Sequence, residues 1–211
     1  MSLFSIKEAF TYGWNALKSN FWFLVEVFAT VIVTSAIFSG ITQYADDNKL
    51  WLLSVVVQVV SAIIQVLFGI GAVRITLALY AGEQISFKNL FLPAGKFWSY
   101  VWGSILYMLV MIAGFILLVV PGVVWALKYQ FFPWLIVDKN MKGREALIAS
   151  GKITKGQKGK LFVFWLAEMG AAIVGVICLG VGIIPAAAII YMASVFVYKK
   201  LVVRLTPETQ S

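Results

Sequence analysis

Four apolar blocks constrain this chain more than any other feature: Phe21 to Ala45, Leu50 to Ala81, Phe97 to Val137 and Leu161 to Tyr198. Each exceeds the roughly 20 residues that a helix needs to cross a bilayer, and the last two are long enough for a pair of crossings. Each block also carries one charged residue, in order Glu26, Arg74, Lys128 and Glu168. Soluble domains are roughly 45–50% apolar and about 25% charged. This chain is 62% hydrophobic and 12% charged, so hydrocarbon is its expected solvent.

Basic loops mark sidedness, because lysine and arginine near span ends stay in the cytoplasm. Residues 1–20, 82–96, 138–160 and 199–211 hold the basic residues outside the blocks, save Lys49, and are expected on one side. An even number of spans must separate each neighbouring pair of these loops. The block from 97 to 137 therefore folds back, with Pro121-Gly122 as the expected break, since proline lacks an amide proton and glycine tolerates a turn. Gly180, Gly182 and Pro185 serve the same purpose in the last block. The expected architecture is all-α: a single domain, residues 1–211, with six spans near 21–44, 50–80, 97–119, 122–138, 161–180 and 184–203, and both termini cytoplasmic. A competing count of four spans, with 97–137 and 161–198 each a single kinked helix, would put basic loops on both sides. Trp22, Trp51, Trp98, Trp134 and Trp165 fall near expected span ends, where amphipathic rings prefer the interface. The N-terminus lacks the pattern of a removable secretory signal, so the first span is expected to direct insertion.

The spans form three hairpins, each preceded by a short segment expected to lie as an amphipathic helix on the membrane surface. Setting Lys96 against Lys160 brings Pro121 onto Pro185. The first surface segment opens with Ser5-Ile-Lys-Glu8, a capping-box pattern; the second is Ser86 to Phe91; the third runs from Arg144 to Ile153, with Ala146, Leu147, Ser150 and Ile153 on one face.

A lone charge at the bilayer centre costs about 2.5–3.5 kcal/mol on insertion scales, so charges inside spans are expected to find partners or to snorkel. Two acids and two bases balance, and the expected pairs are Glu26 with Arg74 and Glu168 with Lys128, as an intramembrane polar cluster. Gln58, Gln65 and Gln130 add hydrogen-bonding capacity suited to helix contacts. The loop 138–160 carries seven positive and two negative side chains. Its Lys139, Lys142, Arg144, Lys152, Lys155, Lys158 and Lys160 are candidates for contact with anionic lipid, although the topology signal alone also explains them. Gly151 to Gly156 imitates the start of a phosphate-binding loop, but Gln157 and Lys158 occupy the lysine and serine/threonine places, which excludes nucleotide binding. Cys178 has no partner cysteine, and there is no histidine, so no metal, redox pair or cofactor is expected.

Pro121-Gly122, Tyr129, Pro133, Asp138, Glu145-Ala146-Leu147, Ser150, Lys155-Gly156, Phe162 and Pro185 together resemble the central signature of a family of uncharacterised bacterial integral membrane proteins. That family is related to the membrane domain of some glycerophosphoryl diester phosphodiesterases. The resemblance implies a bacterial cytoplasmic (inner) membrane location and six helices, and no activity. The leading expectation is a non-enzymatic integral membrane protein of envelope or lipid-linked processes, with lipids, protein partners or further copies of itself as partners and no nucleic acid. The alternative is a small transporter or lipid-translocating subunit using Glu26, Arg74, Lys128 and Glu168. An intramembrane enzyme ranks third, because no histidine, paired aspartate or activated nucleophile is present.

Overall fold

The computed structural model describes residues 3–83, 94–178 and 182–205, and every regular element in them is helical. In chain order these are α1 (Ile6–Ser19), α2 (Phe21–Asp47), α3 (Trp51–Ala81), a 3-10 turn (Ala94–Lys96), α4 (Phe97–Leu117), α5 (Val119–Tyr129), α6 (Phe132–Lys139), α7 (Gly143–Ile153), α8 (Lys158–Ile177) and α9 (Ile183–Val202), which ends in a 3-10 turn (Val203–Leu205). The segment 86–91 and Gly180 fall outside the described residues.

Among the described residues six stretches are long and apolar enough to cross a membrane: α2, α3, α4, Val120–Lys139, α8 and Ile183–Leu205. At 1.5 Å per residue α4 and α8 are about 30 Å long, matching a hydrocarbon core. With 27 and 31 residues, α2 and α3 are longer, and their shared turn carries Asp46, Asp47, Asn48 and Lys49. Consecutive helices pack as α2 on α3, α4 on α5 and α8 on α9.

α9 is the central strut. Ala188, Met192, Ala193, Val195, Val197, Tyr198 and Leu201 are fully buried in it, and α1, α2, α3 and α8 all pack against it. α1 does so through one stripe, Ala9, Gly13 and Leu17. Gly13 is required there, since a Cβ would lie 2.6 Å from the carbonyl oxygen of Ile189. Aromatic rings pack around Tyr198, which lies 6.2 Å from Phe131 and 6.4 Å from Trp134.

The break in the third block comes earlier than expected. Leu118 is extended, with φ −176° and ψ 158°, and Pro121 is the third residue of α5. The first amides of a helix have no intrahelical acceptor, so proline is harmless there while the chain turns ahead of it. Pro185 is likewise the third residue of α9. The turn is closed by small residues: a Cβ on Gly114 would meet Gly122 Cα at 2.9 Å, and one on Gly175 would meet Ala186 Cβ at 2.8 Å.

The fourth span also differs from the single helix expected over 122–138, because it breaks at Gln130-Phe131 with Pro133 at the start of α6. Proline cannot donate to the turn before it and clashes with that turn's carbonyl. The main-chain groups at the break are taken up from α7. Phe131 N–H donates to Ser150 Oγ (3.2 Å), and the Lys128 carbonyl accepts from Ser150 Oγ (3.0 Å) and Thr154 Oγ1 (3.0 Å). A broken helix at membrane depth is tolerated when neighbouring hydroxyls satisfy its backbone.

Candidate functional site

α7 has two unlike faces. Ala146, Ala149, Ser150 and Ile153 are buried on one, among the residues of α4, α5 and α6. The other carries Arg144, Ile148, Gly151 and Lys152 at helical spacing, and Lys155 continues the line into the turn before α8. Gly156 makes that turn with a left-handed φ of 77°, which brings Lys158 of α8 back beside the same face.

Between this face, α4 and α5 lies a cavity of about 580 Å³. Its walls include Leu106 and Val110 of α4, Tyr129 of α5, and Leu147 and Ile148 of α7; its charges are Lys128, Arg144, Lys152, Lys155 and Lys158. Among the described residues that line it there is no carboxylate. Lys128 reaches it across Gly151, where an added Cβ would stand 2.9 Å from Lys128 Cε. The ammonium then lies over the Tyr129 ring, 4.7 Å from its centre. A cation held over an aromatic face by a fixed backbone is a preorganised anion contact, and its neighbours add charge of the same sign.

The expected intramembrane cluster does not assemble. No ion pair joins Glu26 to Arg74 or Lys128 to Glu168 among the described residues. Glu168 instead accepts a hydrogen bond of 2.6 Å from Ser194 Oγ on α9, because its side of α8 faces that helix, whereas Lys128 faces α7. Glu26 is exposed on α2. Arg74 lines a second cavity, of about 540 Å³, with Lys96, Asp138 and Lys199. There Asp138 accepts from Lys199 Nζ and from the Tyr198 hydroxyl, both at 2.8 Å. Burial and the nearby Arg74 guanidinium push Lys96 below the usual lysine range, against an upward pull from Asp138.

The seven loop cations divide. Arg144, Lys152, Lys155 and Lys158 line the α7 cavity. Lys139 lies 3.9 Å from Asp138, the Lys142 amide is capped by Glu145, and Lys160 donates to the Phe4 carbonyl with its ammonium over the Phe4 ring. Lys128 is the cavity residue that sequence reasoning placed elsewhere. Its spacing from Ser150 and Thr154 says nothing of the broken helix that turns it toward α7. The glutamines also differ from expectation: Gln58 and Gln65 bond to serines one turn back in α3, and Gln130 to the Leu127 carbonyl, so their bonds stay local. A third cavity, of about 740 Å³, lies between α2 and α3 and is lined by Ser39, Thr42, Gln43, Gln58, Ser61 and Gln65.

A chain whose described residues form only helices, six stretches of them long and apolar enough to cross a membrane, is a multi-pass membrane protein. Its relatives are bacterial and carry no assigned role. Uncharacterized protein Mb2590 of Mycobacterium bovis and uncharacterized protein MT2637 of Mycobacterium tuberculosis are each 25% identical over an alignment 227 positions long, gaps included, which covers 94% of this chain and 69% of theirs. Uncharacterized protein Rv2560 of Mycobacterium tuberculosis is 24% identical with the same coverage. No family model and no solved structure matches. None of these comparisons links the chain to the membrane domain of glycerophosphoryl diester phosphodiesterases.

Proposed function

We propose that this protein is a non-enzymatic protein of the bacterial inner membrane that acts in envelope or lipid-linked processes by engaging anionic lipid at its basic end. One observation carries the reading. Five cations, Lys128, Arg144, Lys152, Lys155 and Lys158, surround an apolar-walled cavity with no carboxylate among its described lining residues. Topology alone asks only for positive charge in the loop, whereas Lys128 comes from within a span and still joins this set. A basic segment beside anionic headgroups gains about 1 kcal/mol per charge near the surface. The test is mass spectrometry of lipids that copurify in mild detergent. Anionic phospholipid enriched over the bulk membrane supports the reading, and a composition equal to the bulk removes it.

A small transporter or lipid-translocating subunit is the second reading. The polar cavity between α2 and α3 favours it, since hydroxyls and amides such as Ser61 and Gln65 at membrane depth suit a polar passage. That reading expects Gln58→Leu or Gln65→Leu to abolish a flux while membrane abundance stays unchanged.

A further inference from the structure

We infer that the cavity between α4, α5 and α7 is a stoichiometric site for one anionic glycerophospholipid, its phosphate among Lys128, Arg144 and Lys155 and an acyl chain along Leu106 and Val110. The inference rests on the lipid-engaging reading and narrows it from a charged surface to a single seat.

The cavity is apolar in its walls and charged at its rim. A free phosphate ion gains nothing from Leu106, Val110 and Ile148, and an uncharged lipid gains nothing from five ammonium and guanidinium groups. A lipid of net negative charge satisfies both, since its phosphate carries no headgroup cation to be repelled by these basic side chains. Leu106 and Val110 are four residues apart on α4, so they form one apolar strip parallel to the span. The residues beside them, Ile105, Met108 and Leu109, are exposed along the same helix, which leaves a hydrocarbon-facing side open to a chain entering from the bilayer.

The charged end is also fixed in advance. The hydroxyls of Ser150 in α7 and of Thr154 at its end hold the Lys128 carbonyl, Gly151 leaves space for its side chain, and the Tyr129 ring supports its ammonium. Arg144 and Lys155 form no ion pair with a carboxylate among the described residues. Arg144 offers the planar fork that suits phosphate oxygens. The Lys155 main chain is held as well, because its carbonyl accepts from Arg204 at 2.6 Å. A site whose cations extend from a held main chain loses less ordering entropy on binding than a flexible basic loop does.

Native mass spectrometry of the full chain in mild detergent tests this, with dioleoyl phosphatidylglycerol titrated against phosphatidylcholine and with inorganic phosphate as competitor. The expected result is a saturable adduct of one phosphatidylglycerol, absent with phosphatidylcholine and retained in excess phosphate. Lys128→Gln with Arg144→Gln should lower its occupancy by about tenfold or more. Lys139→Gln with Lys142→Gln, in the same loop and outside the cavity, should leave it unchanged. Leu106→Trp should block the adduct through the wall with every charge intact, which keeps the test decisive if the double charge variant fails to fold. Full displacement by inorganic phosphate would overturn the lipid assignment in favour of a free-anion site. If anionic lipid copurifies enriched over the bulk membrane while no discrete adduct forms, the single seat is wrong and the broader reading stands; if it is not enriched, both fall.

Discussion

Lys128 has its main chain tied to one helix and its side chain extended past it. Its carbonyl takes hydroxyl hydrogen bonds from Ser150 in α7 and Thr154 at its end, so the break that Pro133 imposes leaves no bare acceptor there. Ser150→Ala removes one of those bonds and strands the Phe131 N–H; an unsatisfied buried amide costs about 1–3 kcal/mol. Thermal unfolding in detergent should show that loss. Ser150→Ala with Thr154→Ala should cost more than the sum of the single changes, because each hydroxyl covers the same carbonyl when the other is gone. Glycines give a second contrast at this scale. Gly13→Ala must push α1 away from Ile189 and is expected to destabilise by about 1–3 kcal/mol, whereas Gly40→Ala meets open space and should be tolerated.

Helices were legible to different depths. Long apolar runs identify the six spans, and the two prolines announce two of the turns, because both signals are local in the chain. The turns themselves come ahead of Pro121 and Pro185, since proline is placed in the first turn of the new helix instead of at the corner. Charge pairing was not legible. Whether Glu168 faces Lys128 or Ser194 depends on how α8 is rotated against α5 and α9, which packing decides and composition does not record. The α7 segment lies between these cases: the face made by Ala146, Leu147, Ser150 and Ile153 is buried, yet the cavity on its other side needs Lys128 from a span that was expected as one helix over 122–138. Asp138 joins α6 to α9 through Tyr198 and Lys199. Asp138→Asn keeps an acceptor for the tyrosine and leaves the lysine without its counter-charge, so a loss of about 1–3 kcal/mol is expected, read from the unfolding midpoint in detergent.

Across the whole molecule, long-range side-chain bonds gather the basic segments at one end. Lys96 reaches the Val137 carbonyl at 2.5 Å, Lys160 reaches that of Phe4, and Arg204 reaches that of Lys155. The turn at Asn48-Lys49 lies at the far end of α2, about 40 Å along the helix from Phe21. We place that basic end at the cytoplasmic leaflet, where positively charged loops are retained. Labelling single introduced cysteines with a membrane-impermeant maleimide, in a Cys178→Ala background, tests this most directly. Asn48→Cys should react from outside intact cells and Lys142→Cys only after the cytoplasmic face is opened. Lys142→Cys reacting in intact cells, with Asn48→Cys protected, would contradict the arrangement.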